Sequence, residues 1–258
     1  MKLLRSCALA FAMYSRLPMP RLAWTEENLS LAFCFFPGVG AAVGLLLALW
    51  AALAQWLGLG AAVTAAGCLA VPLLVTGGIH LDGFCDTADA LASHQSRERK
   101  LEILKDSHVG AFALMACAVC LIAQFALWQE AELSGRALWV LALVPVYSRA
   151  WSGLGVVTMP NARGQGMLAT FSDAADVKWV RAVLAAVLAA SAAGMVWLSP
   201  AAGGAAAAAG VLVFCYYRWK ARREFGGITG DLAGWFLQLC ELGCLLAVVL
   251  AQKGEGLL

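Results

Sequence analysis

Seven apolar runs, most of them long enough to cross a hydrocarbon layer of roughly 30 Å, dominate this chain: 34–57, 60–79, 109–128, 137–157, 181–198, 203–217 and 232–251. Inside lipid a segment can satisfy its backbone N–H and C=O groups only as a helix or as part of a closed barrel. Runs of this length point to helices. The expected fold class is all-α: a polytopic integral membrane helical bundle of about seven transmembrane helices. Composition agrees, since 62% of the 258 residues are hydrophobic and 13% are charged, against about a quarter charged in soluble domains. Ser199-Pro200 separates the fifth and sixth runs by a turn signal, so they read as two helices rather than one. No repeat or second domain is visible, and residues 1–258 read as one membrane-embedded domain.

The first 21 residues resemble a leader, with Lys2 and Arg5 before an apolar stretch, but no small-residue cleavage site follows and Arg16-Leu17-Pro18-Met19-Pro20 breaks the run. The expectation is a retained interfacial or re-entrant helix, too short to span. Orientation follows from the cations. Segments 1–33, 80–108, 158–181 and 218–231 hold fifteen of the eighteen Lys and Arg, while the other side has Arg136 and Lys253. The basic side is expected to face the cytoplasm. A net charge of +2 gives no argument for a nucleic-acid partner, and membrane lipid explains the basic runs. The nine cysteines, including Cys117-x2-Cys120 and Cys240-x3-Cys244 within spans, read as small buried hydrophobes.

The densest chemistry lies in Gly77-Gly78-Ile79-His80-Leu81-Asp82-Gly83-Phe84-Cys85-Asp86-Thr87-Ala88-Asp89. At about 100° per residue, a helix here places Asp86 roughly 40° to one side of Asp82 and Asp89 roughly 20° to the other. Three like charges on one face repel unless a cation lies between them. A hard divalent ion such as Mg²⁺ suits oxygen ligands and keeps positions for phosphate. The paired glycines let the backbone approach something bulky.

Three further clusters share that side of the membrane. Lys105-Asp106-Ser107-His108-Val109-Gly110 leads straight into a span; before it, Glu98 and Glu102 read as helical partners of Lys105, and Arg97 to Lys100 as surface charge. Ser148-Arg149, with Arg163 beyond it, offers guanidinium to phosphate, although Arg149 fits equally as a cation snorkelling to the interface. Gly226-Gly227-Ile228-Thr229-Gly230-Asp231 lets backbone amides approach an anion beside an acid, and Glu241, inside the last span, either joins that chemistry or bonds a neighbouring helix. Trp151, Trp179, Tyr216 and Trp219 read as interfacial aromatics that could also stack on a ring system.

These motifs, with Arg99-x2-Glu102-Ile103-x2-Asp106-Ser107-x2-Gly110, Ser15-Arg16-Leu17-Pro18-Met19-Pro20 and Phe35-Phe36-Pro37-Gly38-Val39-Gly40, resemble the cobalamin synthase family, the adenosylcobinamide-GDP ribazoletransferases, over nearly the whole chain. The resemblance implies an Mg²⁺-dependent transferase in the bacterial cytoplasmic (inner) membrane, multi-pass, with its active site facing the cytoplasm. It would join adenosylcobinamide-GDP to α-ribazole or α-ribazole 5′-phosphate and release GMP. It also implies roles: metal ligation by Asp82, Asp86 and Asp89, catalysis by these with His80 and Asp106, and substrate binding by Arg99, Lys105, His108, Arg149, Arg163, Gly226, Gly227, Thr229, Gly230, Asp231 and Glu241. Two departures stand out. Gln165 and Leu168 replace a carboxylate and a glycine usual in the family, and His108 stands where arginine is common. Two rivals start from the same acids. A CDP-alcohol-type membrane phosphotransferase would show wider Asp spacing and an Ala-Arg soon after Asp-Gly, and a cation transporter would hold its acids near the midplane.

Overall fold

The computed structural model describes residues 2–106, 108–164 and 176–255. In order these form α1 (Lys2–Tyr14), a short α2 (Glu26–Leu29), a 3₁₀ turn (Ala32–Phe35), α3 (Phe36–Trp56), α4 (Ala61–Thr76), α5 (Ile79–Ala92) and α6 (Arg97–Ile103). They continue with α7 (Ala111–Glu130), α8 (Gly135–Thr158), α9 (Val177–Leu198), α10 (Pro200–Lys220), a π-helical turn (Ala221–Phe225) and α11 (Gly230–Glu255). Among the described residues there is no strand beyond an isolated parallel bridge between Asn161 and Ile228. The fold is all-α. Six of these helices, the first counted from Glu26 to Trp56, are long and apolar enough to cross a membrane, and the pair α4–α5 makes up to seven.

Helix ends follow local chemistry. Ser199 accepts a hydrogen bond from the Ala202 N–H at 3.3 Å and Pro200 occupies the first turn of α10, so the Ser-Pro boundary separates two helices as its sequence predicts. The second apolar run departs from a straight span. It stops at Thr76 and the chain bends by 94° into α5. Gly77 and Gly78 are consecutive left-handed residues (φ 67° and 80°), a conformation that costs L side chains about 1–2 kcal/mol each. The acids after the bend therefore begin a new helix instead of continuing into lipid. At the other end of the site, α6 ends at Ile103, so Glu102 pairs with Arg99 at 2.7 Å and Lys105, beyond the helix, is exposed. The expected Lys105 pairings are replaced for that reason.

Helices α8 and α11 are largely enclosed, whereas α7 and α9 turn most of their surface outward. That outer surface is apolar, with Leu114, Val119 and Ile122 on α7 and Val196 on α9 all exposed, as expected for side chains that meet lipid tails. Hydrophobic burial does not drive helices together in lipid, so close backbone approach must. It is visible between α3 and α8, where Gly40 and Gly44, four residues apart, rest on the Pro145 and Ala142 carbonyls. A methyl group at either glycine would overlap those oxygens. Gly44→Val is expected to cost about 1–3 kcal/mol through overpacking, read as a lower unfolding midpoint in detergent; an unchanged midpoint would show that the crossing relaxes freely.

The N-terminal helix is too short to span and packs on α2, the 3₁₀ turn and α3, burying Ser6, Leu9 and Ala10. Of the cysteines, Cys68, Cys120, Cys240 and Cys244 are buried, but Cys215 is exposed on α10.

Candidate active site

The acidic stretch folds as the helix its spacing predicts, α5, and its placement depends on one contact. Gly83 faces the backbone of Asp231, where an added Cβ would stand 2.7 Å from the Asp231 carbonyl oxygen, and Gly234 faces the His80 carbonyl with 2.9 Å for the same atom. Two glycines thus let α5 and α11 cross nearly backbone to backbone. This sets the first turn of α11 beside Asp82. Both carboxyl residues line one cavity of about 260 Å³. Asp86 lies within the electrostatic reach of Asp82, Asp231 and Asp89, all repulsive, and of Arg163, which attracts it.

Arg163 is delivered by its own docking. The Pro160–Ala162 segment lies along the glycine loop, with Ala162 N–H donating to the Ile228 carbonyl and Ile228 N–H to the Pro160 carbonyl, each at 2.9 Å. Gly227 is the contact point, since a Cβ there would meet Pro160 and Ala162. The Asn161 Oδ1 accepts from the N–H groups of Arg163 (2.9 Å) and Gly164 (3.1 Å), turning the chain so that Arg163 Nη2 reaches Asp231 Oδ2 at 3.0 Å. Thr229 caps α11 by accepting from the Leu232 N–H at 3.2 Å, and its hydroxyl also lies 3.4 Å from Asp231 Oδ2. Gly226 is left-handed, with the Arg97 guanidinium across it. Arg97 therefore belongs to this corner, not to the general surface charge.

The cavity has two characters. Tyr14, Phe33 and Phe36 form an aromatic wall, while Asp82, Asn161, Arg163 and Asp231 supply the polar part. His80 joins them, buried, its ring centroid 6.3 Å from Tyr14 and 6.0 Å from Phe36. None of Tyr14, Phe33, Phe36 and Ser152 stood out in the sequence as chemistry, whereas Asn161 begins the segment that carries Arg163. The aromatics belong to apolar stretches, and their convergence on His80 is a product of packing. On the outside of α5 a second, open groove is lined by Gly77, Gly78, Leu81, Cys85 and Cys117. Ile79 and Asp82 line both spaces.

Other candidates go elsewhere. Arg149 and Glu241, expected at the substrate, are bound to each other at 2.6 Å between α8 and α11, with Arg149 Nη1 also donating to the Pro145 carbonyl at 3.0 Å. Only 1% of the Arg149 side chain is exposed, so it neither snorkels nor lines the cavity. Asp89 takes part in holding the start of α7, where its Oδ1 accepts from the Ala113 N–H at 3.4 Å and its carboxylate packs on Gly110. Arg99 is exposed beside Glu102. Asp106 and His108 form an exposed pair, 2.6 Å between Oδ1 and Nδ1. The His108 backbone N–H, and then its ring, hold the Asp106 carboxyl below the usual carboxylate range. Ser107 and the divergent Gln165–Leu168 stretch lie outside the described residues. Trp151, read as an interfacial ring, stacks on Phe214 at 4.3 Å in the interior.

Among the described residues no three His, Cys, Asp or Glu side chains form a closed metal cluster. The donor chemistry nevertheless fits a hard cation: oxygen ligands only, with several carboxylates gathered against a single guanidinium. Asp82, Asp86 and Asp231 are the residues that would hold it, with Asp89 at the far end of the same helical face.

Comparison with known proteins finds relatives along nearly the whole chain. No solved structure matches the chain. A protein of Lachnoclostridium phytofermentans named adenosylcobinamide-GDP ribazoletransferase is 41% identical over 252 residues, covering 98% of this chain and 96% of the relative. Proteins of the same name from Desulfitobacterium hafniense (35% identical, 94% and 96% covered) and Mesorhizobium japonicum (33%, 97% and 95%) also align. The sequence profile of Cobalamin-5-phosphate synthase matches residues 6–249. With a polytopic helical fold and a match over nearly its whole length, the chain belongs to the cobalamin-5-phosphate synthase family.

Proposed function

We propose that this protein is an adenosylcobinamide-GDP ribazoletransferase of the bacterial inner membrane. It joins adenosylcobinamide-GDP to α-ribazole or α-ribazole 5′-phosphate, giving adenosylcobalamin or its 5′-phosphate and releasing GMP. The observation that carries the reading is the convergence of Asp82, Asp231 and Arg163 at one cavity, with Asp86 within their electrostatic reach, in a chain of this family. A ribose hydroxyl attacks the cobinamide-linked phosphorus, the bond to the GMP oxygen breaks, and GMP departs. Asp82, Asp86 and Asp231, with Asp89 at the far end of the same helical face, would hold Mg²⁺, which would supply neutralisation of pyrophosphate charge. Arg163 supports the charge of the transferring group at the same place. His80, whose Nε2 has no partner among the described residues, is the group we assign to take the hydroxyl proton.

The assay is release of GMP by purified, lipid-reconstituted protein given adenosylcobinamide-GDP and α-ribazole, with and without Mg²⁺. Release of CMP from a CDP-alcohol instead would move the protein to the rival phosphotransferase class, and activity unaffected by chelation would remove the metal.

The same reading places the site on the cytoplasmic side, because a GDP-activated substrate is made there and fifteen of eighteen Lys and Arg lie in the flanking segments. Single cysteines introduced at His94 and at Arg222 on a cysteine-depleted background are expected to resist an impermeant thiol reagent in intact cells. Strong labelling from outside would reverse the orientation.

A further inference from the structure

Two spaces meet at Asp82, and they differ in kind. The cavity of about 260 Å³, between α1, the 3₁₀ turn, α3, α5, α8 and α11, is the more closed of the two, whereas the groove outside α5 is open. A 150 Å³ apolar cavity accepts one benzene ring, so the more closed space suits a bicyclic aromatic and cannot admit a corrin macrocycle. Its wall is aromatic, through Tyr14, Phe33 and Phe36. It also contains polar atoms that need partners: His80 Nε2, Asn161 Nδ2 and Arg163 Nε are buried without a hydrogen bond among the described residues. Leaving such groups unpaired costs roughly 1–3 kcal/mol each; Asn161 Nδ2 and Arg163 Nε call for acceptors on a ligand, and His80 Nε2, assigned above to receive a proton, for a ligand hydroxyl.

Resting on the transferase reading above, we infer that this cavity is the acceptor subsite: the benzimidazole base of α-ribazole seats against Tyr14 and Phe36, and its ribose faces Asp82. The competing occupant is the guanine of the donor, also a bicycle. The donor types decide between them. Asn161 Oδ1 is already committed to two backbone N–H groups, so its free atom is the amide Nδ2, a donor, as is Arg163 Nε. Guanine's O6 and N7 could accept from these donors, but its N1–H and amino group would need acceptors in turn. The ribazole base is apolar around most of its rim with one free ring nitrogen, and its ribose adds oxygens. Asp231 Oδ2 is engaged by Arg163 and Thr229, and its other oxygen, like the Asp82 carboxylate, is assigned above to the cation, which leaves guanine's N1–H and amino group without an acceptor. The corrinoid nucleotide, too large for the more closed space, approaches from the open groove, and Asp82 stands where the two substrates meet.

The test is equilibrium dialysis of the full-length, detergent-solubilised protein with radiolabelled α-ribazole and, separately, GMP and adenosylcobinamide-GDP. Val156→Phe fills the cavity from α8, and Phe36→Leu removes part of its aromatic wall while retaining an apolar side chain. Both variants, checked for folding by their unfolding midpoints, are expected to bind α-ribazole about tenfold more weakly, a change of about 1.4 kcal/mol. Their affinity for the two guanine compounds should stay within about twofold of the parent's by the same scale. Either folded variant suffices. Unchanged α-ribazole binding, or a loss confined to GMP and adenosylcobinamide-GDP, overturns the subsite. Parent protein that releases GMP from adenosylcobinamide-GDP while its variants retain α-ribazole affinity would refute the subsite alone; parent protein that releases none would refute the transferase reading itself.

Discussion

Asp82→Ala and Asp86→Ala are each expected to reduce GMP release at least about a hundredfold, the scale on which loss of a single preorganised electrostatic group acts, while membrane insertion and the unfolding midpoint remain close to the parent's. The reason is that these carboxylates face Asp231 and Arg163 rather than the packed interior. Asn at either position should fail nearly as badly, because a neutral amide cannot compensate a cation. Asp231→Ala should weaken substrate binding that depends on metal. The double change Asp82→Ala with Asp231→Ala should then cost little more than the worse single change, as for groups that act as one unit. Full activity of both α5 variants at any Mg²⁺ concentration would dismiss the metal proposal. Simple addition of the Asp82 and Asp231 losses would reduce the glycine loop to a structural element.

The second large effect concerns stability. Glu241→Ala is expected to destabilise the protein by about 3–5 kcal/mol, because it leaves the Arg149 guanidinium buried without its counter-charge. Arg149 also lies 5.9 Å from the Phe36 ring centroid, so its loss of charge balance would reach the cavity wall. Replacing both partners, Arg149→Met with Glu241→Leu, should recover most of the unfolding midpoint, since an apolar pair of similar volume carries no desolvation penalty. Had these residues bound substrate, as their motif suggested, the double replacement would be stable but show a raised KM for the donor. Recovery of both stability and KM supports a helix-to-helix brace.

Parts of the molecule were legible along the chain because they depend on neighbours in sequence. The apolar runs implied helices since lipid leaves few other ways to satisfy a backbone. Ser199-Pro200 marked a helix start through a cap and a fixed φ. The three aspartates shared a helical face because the helix period alone sets it. The break after Thr76 was not legible in this way: the apolar run reads on to 79, through Gly77-Gly78, and the stop and its 94° bend came only with the structure.

Tertiary structure decided what meets what. Asp231 stands beside Asp82 because Gly83 and Gly234, about 150 residues apart, allow α5 and α11 to touch. The same kind of crossing, at Gly40 and Gly44, holds α3 on α8 and carries Phe36 with it toward His80. Arg149 gives the clearest contrast: its sequence position suited a phosphate ligand and an interfacial cation equally, yet α11 presents Glu241 to it and ends the choice. Charge pattern and periodicity determine which residues share a helix face, since that follows from one chain's own pitch. Which faces then meet is determined by where small residues let two backbones approach, a property of helix pairs that no single segment contains.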